Sequence, residues 1–112
     1  MRPVTYTLSD ASGGVKTSSV YAPDNYVSPF NVALSAVVTG VVSYTIQYTF
    51  DDVFNKTYVP ASGNWTDHPS MTAQTATKDS NIAYPVRGIR VQLLSGSGSV
   101  VFTAIQAGGG IA

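Results

Sequence analysis

The sequence contains no cysteine and no glutamate, and it has a single histidine. Without cysteine, the chain can form neither disulfides nor thiolate metal sites. Only 11% of the residues are charged, and six basic residues balance six aspartates to a formal net charge of zero. A typical soluble domain has roughly a quarter of its residues charged. A chain so poor in charge has no long-range field that would attract nucleic acid or an anionic membrane, so we expect neither as a partner.

Long apolar runs are also missing. The longest candidate, residues 32–42, is interrupted by Ser35, Thr39 and Gly40. It is well short of the roughly 20 residues that a membrane helix requires. Residues 1–6 lack the apolar core of a secretory signal. We therefore expect a protein that is made in the cytoplasm and is soluble there.

The sequence lacks helical periodicity, and apolar and polar residues alternate instead. In residues 42–50, one set consists of Val42, Tyr44, Ile46, Tyr48 and Phe50, and the other of Ser43, Thr45, Gln47 and Thr49. A period of two predicts a β-strand whose first set faces a core. The second set predicts an opposite face that is polar but carries no charge.

The same criteria predict strands along the whole chain. The main ones are expected at 4–8, 15–21, 31–39, 42–50, 86–94 and 99–107, with shorter ones within 57–59, 72–77 and 81–84. Glycine-containing turns at 12–14, 39–41 and 95–98 predict hairpins. Short strands at this spacing predict an all-β fold, an antiparallel β-sandwich or jelly roll of about seven or eight strands. We assign residues 1–108 to a single domain and 109–112 to a flexible tail.

Two segments have features beyond simple alternation. Residues 51–85 contain successive turn signals and are predicted to form a long crossing connection, which Trp65 pins to the edge of the sandwich. The last predicted strand is apolar on both faces, since Val100, Phe102 and Ala104 alternate with Val101 and Ile105. Such a strand is either central in a sandwich or covered by another subunit.

The inventory of reactive side chains is small. His68 follows Asp67 and precedes Pro69, and adjacent side chains rarely meet in the geometry that general-base catalysis needs. A turn residue that caps its own loop is the favoured interpretation. Asp51 and Asp52 lack the spacing and the distal glutamate of a calcium loop. We therefore expect no catalytic residue, no cofactor and no metal ion, and we predict that the protein is not an enzyme.

Aromatic and arginine side chains are the candidates for contact with a partner, because interfaces are enriched in both. Some belong to the N-terminal arm or to a proline-containing loop after residue 20, and others to the crossing connection or to the strand predicted at 86–94. The candidates are Arg2, Tyr6, Tyr21, Tyr26, Phe30, Trp65, Arg87 and Arg90.

The C-terminal part of the sequence resembles a known family. The segments that carry the resemblance are 44–52 (YTIQYTFDD), 67–69 (DHP), 73–76 (AQTA), 83–90 (AYPVRGIR) and 101–108 (VFTAIQAG). In their order and spacing they resemble small structural proteins of tailed bacteriophage particles, which often end in such an Ile-Gln-Ala-Gly strand. The resemblance covers roughly residues 44–108.

The resemblance implies a β-sandwich that binds a virion surface as a head-decoration (cement) protein and stabilises the shell. Its partners would be the major capsid protein or other virion proteins, and the chain itself would be a dimer or trimer. It would be located in the virion after synthesis in the bacterial cytoplasm. The uncharged Ser/Thr/Gln face of 42–50 would bond to a neighbouring protein without the cost of desolvating ions.

Two alternatives stay open. One is a tail, neck or fibre-tip module of the virion. The other is a carbohydrate-binding β-sandwich, in which Trp65, Tyr58 and Tyr26 would form a sugar platform.

Overall fold

The computed structural model describes residues 4–23, 31–53, 57, 59 and 63–106. The described residues form the strands β1 (Val4–Ser9), β2 (Lys16–Thr17), β3 (Val32–Thr39), β4 (Ser43–Thr49), β5 (Thr66–Asp67), β6 (Lys78–Ile82), β7 (Gly88–Ser95) and β8 (Ser99–Gln106). Four sequence-based candidates (Arg2, Tyr26, Phe30 and Tyr58) and the predicted tail at 109–112 lie outside the described residues.

The strands form two antiparallel sheets of four strands each. Sheet A has the order β1-β8-β3-β6, and sheet B has the order β2-β7-β4-β5. The first strand therefore pairs with the last, the second with the seventh, the third with the sixth and the fourth with the fifth. Such nested pairing, rolled into two sheets, is the jelly-roll arrangement. The predicted fold class is confirmed.

The predicted hairpins are wrong. The turns at 12–14, 39–41 and 95–98 connect strands that lie in different sheets, so each is an arch between sheets. Glycine permits a chain reversal but does not specify whether the flanking strands pair or separate. The Gly98 N–H donates to the Val41 carbonyl at 3.1 Å, and a β-carbon at Gly96 would collide with the same carbonyl oxygen. Glycine is needed at positions 96 and 98 because the arches at 39–41 and 95–98 pack backbone against backbone.

The predicted strand at 15–21 is also shorter than expected. Regular pairing ends after β2: the Ser18 N–H still donates to the Val91 carbonyl at 2.9 Å, but the Val91 N–H donates to the Ser18 hydroxyl at 3.0 Å. Pairing resumes as a single bridge between Tyr21 and Ile89. The predicted strand at 72–77 is a single bridge from Gln74 to Tyr44, while β5 was not predicted and β6 begins at Lys78, ahead of the expected 81–84.

The core lies between the two sheets and follows the predicted alternation. Its central side chains are Val32, Leu34, Ala36, Tyr44, Ile46, Ile89, Val91, Leu93, Val100, Phe102 and Ala104, all buried. The Tyr44 hydroxyl donates to the Ala76 carbonyl at 2.8 Å. Phe50 is an exception: it lies past the end of β4 and is 59% exposed, so its predicted core position is wrong. Its ring packs edge-on against Tyr48, with the centroids 5.9 Å apart.

Candidate interaction surfaces

The two sheets present very different outer faces to solvent. β8 is central in sheet A, between β1 and β3, so it is central in the sandwich while its second apolar face points outward. We call the outward side chains of this sheet the sheet A outer face. They are Thr5, Thr7, Ser9, Ala33, Ser35, Val37, Thr39, Asp79, Asn81, Ser99, Val101, Thr103 and Ile105.

Two separate apolar pairs lie on the sheet A outer face, Val37 with Val101 and Ala33 with Ile105. Val37 and Ile105 are 49% and 47% exposed, respectively, and Val101 lies half-buried opposite Val37. Ser35 and Thr103 lie between the two apolar pairs, and the Thr5 and Thr103 hydroxyls are 3.4 Å apart. Asp79, on the edge strand β6, is the one charged side chain among the described residues of this face.

The outer face of sheet B is built from polar groups that bond to one another. The Arg90 Nε–H donates to the Gln47 Oε1 at 2.9 Å, and the Gln47 amide donates in turn to an Asp67 carboxylate oxygen at 2.8 Å. The Arg90 guanidinium also lies 4.1 Å from the centre of the Trp65 ring. Trp65 and Asp67 belong to the crossing connection, so this network fixes that connection to the sheet, as predicted for Trp65.

The threonines of β4 are covered by the chain itself. The Thr49 hydroxyl donates to the Asn64 carbonyl at 2.8 Å, and the Thr45 hydroxyl accepts the Ala73 N–H at 2.8 Å. Both threonines are buried. The Ser/Thr/Gln face of residues 42–50 therefore meets residues 64–73 of the same chain, and the expectation that it meets a neighbouring protein is corrected.

His68 is buried between the crossing connection and β6. Its Nδ1 accepts the Ser70 N–H at 3.2 Å, and its Nε2 lies 2.9 Å from the Asn81 carbonyl, to which it donates. The hydrogen bond to Ser70 confirms the interpretation of a residue that caps its own turn. In the described part of the chain, no three histidine or acidic side chains gather where they would hold a metal ion, and no helix is long and apolar enough to cross a membrane.

The structure does not bring the described contact candidates into one site. Tyr6 lies on the inner side of β1 and stacks on Phe102, with ring centroids 6.3 Å apart. Tyr21 is buried, and this burial raises its pKa to about 12. Trp65 and Arg90 form the network on sheet B, whereas Arg87 is exposed just before β7 and uses its N–H to bond Thr49.

Sequence reasoning did not single out the residues of the sheet A outer face. The signal for this face was the last predicted strand, at 99–107, which is apolar on both faces. From the sequence alone, such a strand fits a central position in the sandwich and a contact with another subunit equally well. An exposed aromatic pair was also missed. Phe50 and Tyr84 both pack edge-on against Tyr48, but alternation assigned Phe50 to the core.

Comparisons with known proteins assign no family. The sequence matches no protein-family model, and no curated protein matches it. A jelly roll serves many unrelated functions, so the fold alone does not assign one. The surfaces described above are therefore the structural basis on which a function is proposed.

Proposed function

We propose that the chain is a structural protein of a tailed-bacteriophage particle, a decoration (cement) protein that binds the outside of the head. The observation that supports this proposal is the sheet A outer face, on which Val37 and Ile105 are exposed and which is almost uncharged. Exposed apolar side chains and a scarcity of charge are both features of protein-binding surfaces.

The chemistry of this face favours attachment to another protein. Covering Val37 and Ile105 would remove apolar surface from water, which contributes about 25 cal/mol per Å². Few ions would have to be desolvated, because Asp79 is the one charged side chain among the described residues of the face. The threonine and serine hydroxyls beside and between the apolar side chains would supply hydrogen bonds to the partner.

The size of the face is consistent with binding to a repeating shell. Strands spaced ~4.8 Å apart, with a rise of ~3.3 Å per residue, give the sheet A outer face an area of roughly 400 Å². A standard stable interface buries about 800 Å² on each partner. One such contact is weak by itself, and many copies on a regular lattice would together stabilise the shell.

The outer face of sheet B would point away from the head. Gln47, Arg90 and the buried threonines of β4 bond within the chain. These groups need no partner to satisfy them, and they keep the crossing connection in place. The sheet A outer face would thus attach the protein to the head, while the outer face of sheet B would hold the crossing connection and face away from the head.

Fractionation of purified particles tests the location. Heads and tails are separated on a gradient, and this chain is quantified in each fraction by mass spectrometry. We expect copies in the heads in numbers comparable with the major shell protein, and their loss before that protein as denaturant rises. A few copies that accompany the tails would refute head decoration and favour the tail, neck or fibre-tip alternative.

A pair of valine substitutions tests the attachment surface. Val37→Lys places a charge on the sheet A outer face, whereas Val41→Lys places one on the arch after β3, where the valine is 80% exposed. We expect Val37→Lys to abolish binding to heads stripped of this chain and Val41→Lys to bind like the unchanged protein. Equal binding of both variants would exclude this face.

A further inference from the structure

Four strands lie at the edges of the two sheets, and three of them are protected against pairing with another strand. β2 and β5 are two residues long and carry Lys16 and Asp67. β6 contains Lys78 and Asp79, and its outer edge is occupied because His68 bonds the Asn81 carbonyl. Short strands, charges and covering segments are the usual devices that prevent edge-to-edge association.

The fourth edge, β1, has none of these devices. It is six residues long, contains no charged residue and no proline, and keeps an unbroken register with β8 from Val4 to Ser9. Every second residue of an edge strand directs its backbone N–H and C=O away from the sheet. In the described part of the chain, no other strand pairs with this edge.

The inner side chains of β1 are also incompletely covered. Val4, Tyr6 and Leu8 face the core but are only half-buried, whereas their partners Ala104, Phe102 and Val100 on β8 are fully buried. One sandwich alone therefore leaves an apolar row partly exposed beside an unprotected strand edge. A further strand added at this edge would cover both.

We propose that two copies of this chain pair antiparallel through β1, which joins their A sheets into one eight-stranded sheet. A twofold axis at Tyr6 places Tyr6 opposite Tyr6 of the second copy, and Val4 opposite Leu8. On the outer side it places Thr5 opposite Thr7. Because residues that face each other across an antiparallel pair lie on the same side of the sheet, this register matches apolar with apolar and hydroxyl with hydroxyl.

A second copy fits this edge better than an unrelated strand does. The segment complements itself in sequence, and neither copy brings a charge that would repel the other. Pairing would also join the two sheet A outer faces into one surface of roughly 800 Å², the size that a stable interface needs on each side. This consequence rests on the proposed function, whereas the dimer itself does not.

The test measures the mass of the purified chain and the hydrogen exchange of its β1 amides. We expect a species of twice 11.7 kDa in analytical ultracentrifugation across the micromolar range. In that dimer, consecutive amides from Thr5 to Leu8 should be protected, because β8 bonds one set and the second copy bonds the other. The double variant Thr5→Lys/Thr7→Lys should be a monomer in which protection alternates along β1. The control Thr39→Lys/Thr66→Lys adds the same charge elsewhere and should stay dimeric.

A monomeric wild-type chain with alternating protection in β1 would overturn the dimer, whatever the variants do. Dimers that persist in Thr5→Lys/Thr7→Lys, or that dissociate equally in the control, would place the contact elsewhere and refute pairing through β1. Both measurements use the isolated chain without any particle. Failure of the dimer is therefore distinct from failure of head attachment, which fractionation of particles detects.

Discussion

Replacement of Arg90 by alanine tests whether the network on sheet B is structural. Arg90 is only 9% exposed, and its guanidinium bonds Gln47 and lies against the Trp65 ring. A hydrogen bond from a charged donor contributes about 1.5–3 kcal/mol, and a partly exposed cation–π contact about 0.5–2 kcal/mol. Since the two contributions are not additive, we expect Arg90→Ala to lower the free energy of unfolding by about 2–4 kcal/mol.

The assay is urea unfolding followed by tryptophan fluorescence, with thermal unfolding alongside. At ~4 °C per kcal/mol, the melting temperature of Arg90→Ala should fall by roughly 8–16 °C. Arg87→Ala is the matched control, because Arg87 is exposed and its replacement should change stability by no more than about 0.5 kcal/mol. Equal stability of Arg90→Ala and the unchanged protein, or an equal loss in both variants, would refute the structural role of Arg90.

Three further outcomes follow from the packing. Because Phe102 is fully buried, Phe102→Ala should lower the free energy of unfolding in urea by about 3–5 kcal/mol, whereas Phe50→Ala should lower it by less than about 1 kcal/mol. Equal losses would contradict the exposed position of Phe50. Gly96→Ala should destabilise strongly, since its φ is +102° and its β-carbon would meet backbone, whereas nothing lies within 4 Å of a β-carbon at Gly13; thermal unfolding of both variants decides this. Burial raises the pKa of Tyr21 from 10.0 to about 12, so the folded state holds this proton more tightly than the unfolded state. The resulting stability is present below pH 10 and is lost as the pH rises toward 12; an alkaline unfolding profile that is unchanged in Tyr21→Phe would argue against this.

Alternation predicted the fold class and, apart from Phe50, the inner face of β4. Tyr44 and Ile46 lie where a period of two places them, because one face of each sheet must leave water. For β8, alternation separated two apolar faces but left open which of them is buried. The answer depends on which other elements cover the sheet.

The errors arose where long-range backbone contacts decide the structure. A glycine turn at 39–41 is compatible with a hairpin, and the contact between Gly98 and Val41 that makes it an arch involves residues far apart in the sequence. Burial of the polar face of β4 likewise depends on residues 64–73, which fold back over the sheet and cover Thr45 and Thr49. Composition and spacing contain no information about such a return.

The most direct test of head attachment through the sheet A outer face is thiol labelling in assembled particles. The chain has no cysteine, so Val37→Cys and Val41→Cys each introduce the one thiol of the chain, and maleimide labelling is read by mass spectrometry. In the isolated protein both thiols should react. On heads, we predict that the thiol of Val37→Cys is protected while that of Val41→Cys still reacts. Equal labelling of both variants on heads would contradict the proposed attachment surface.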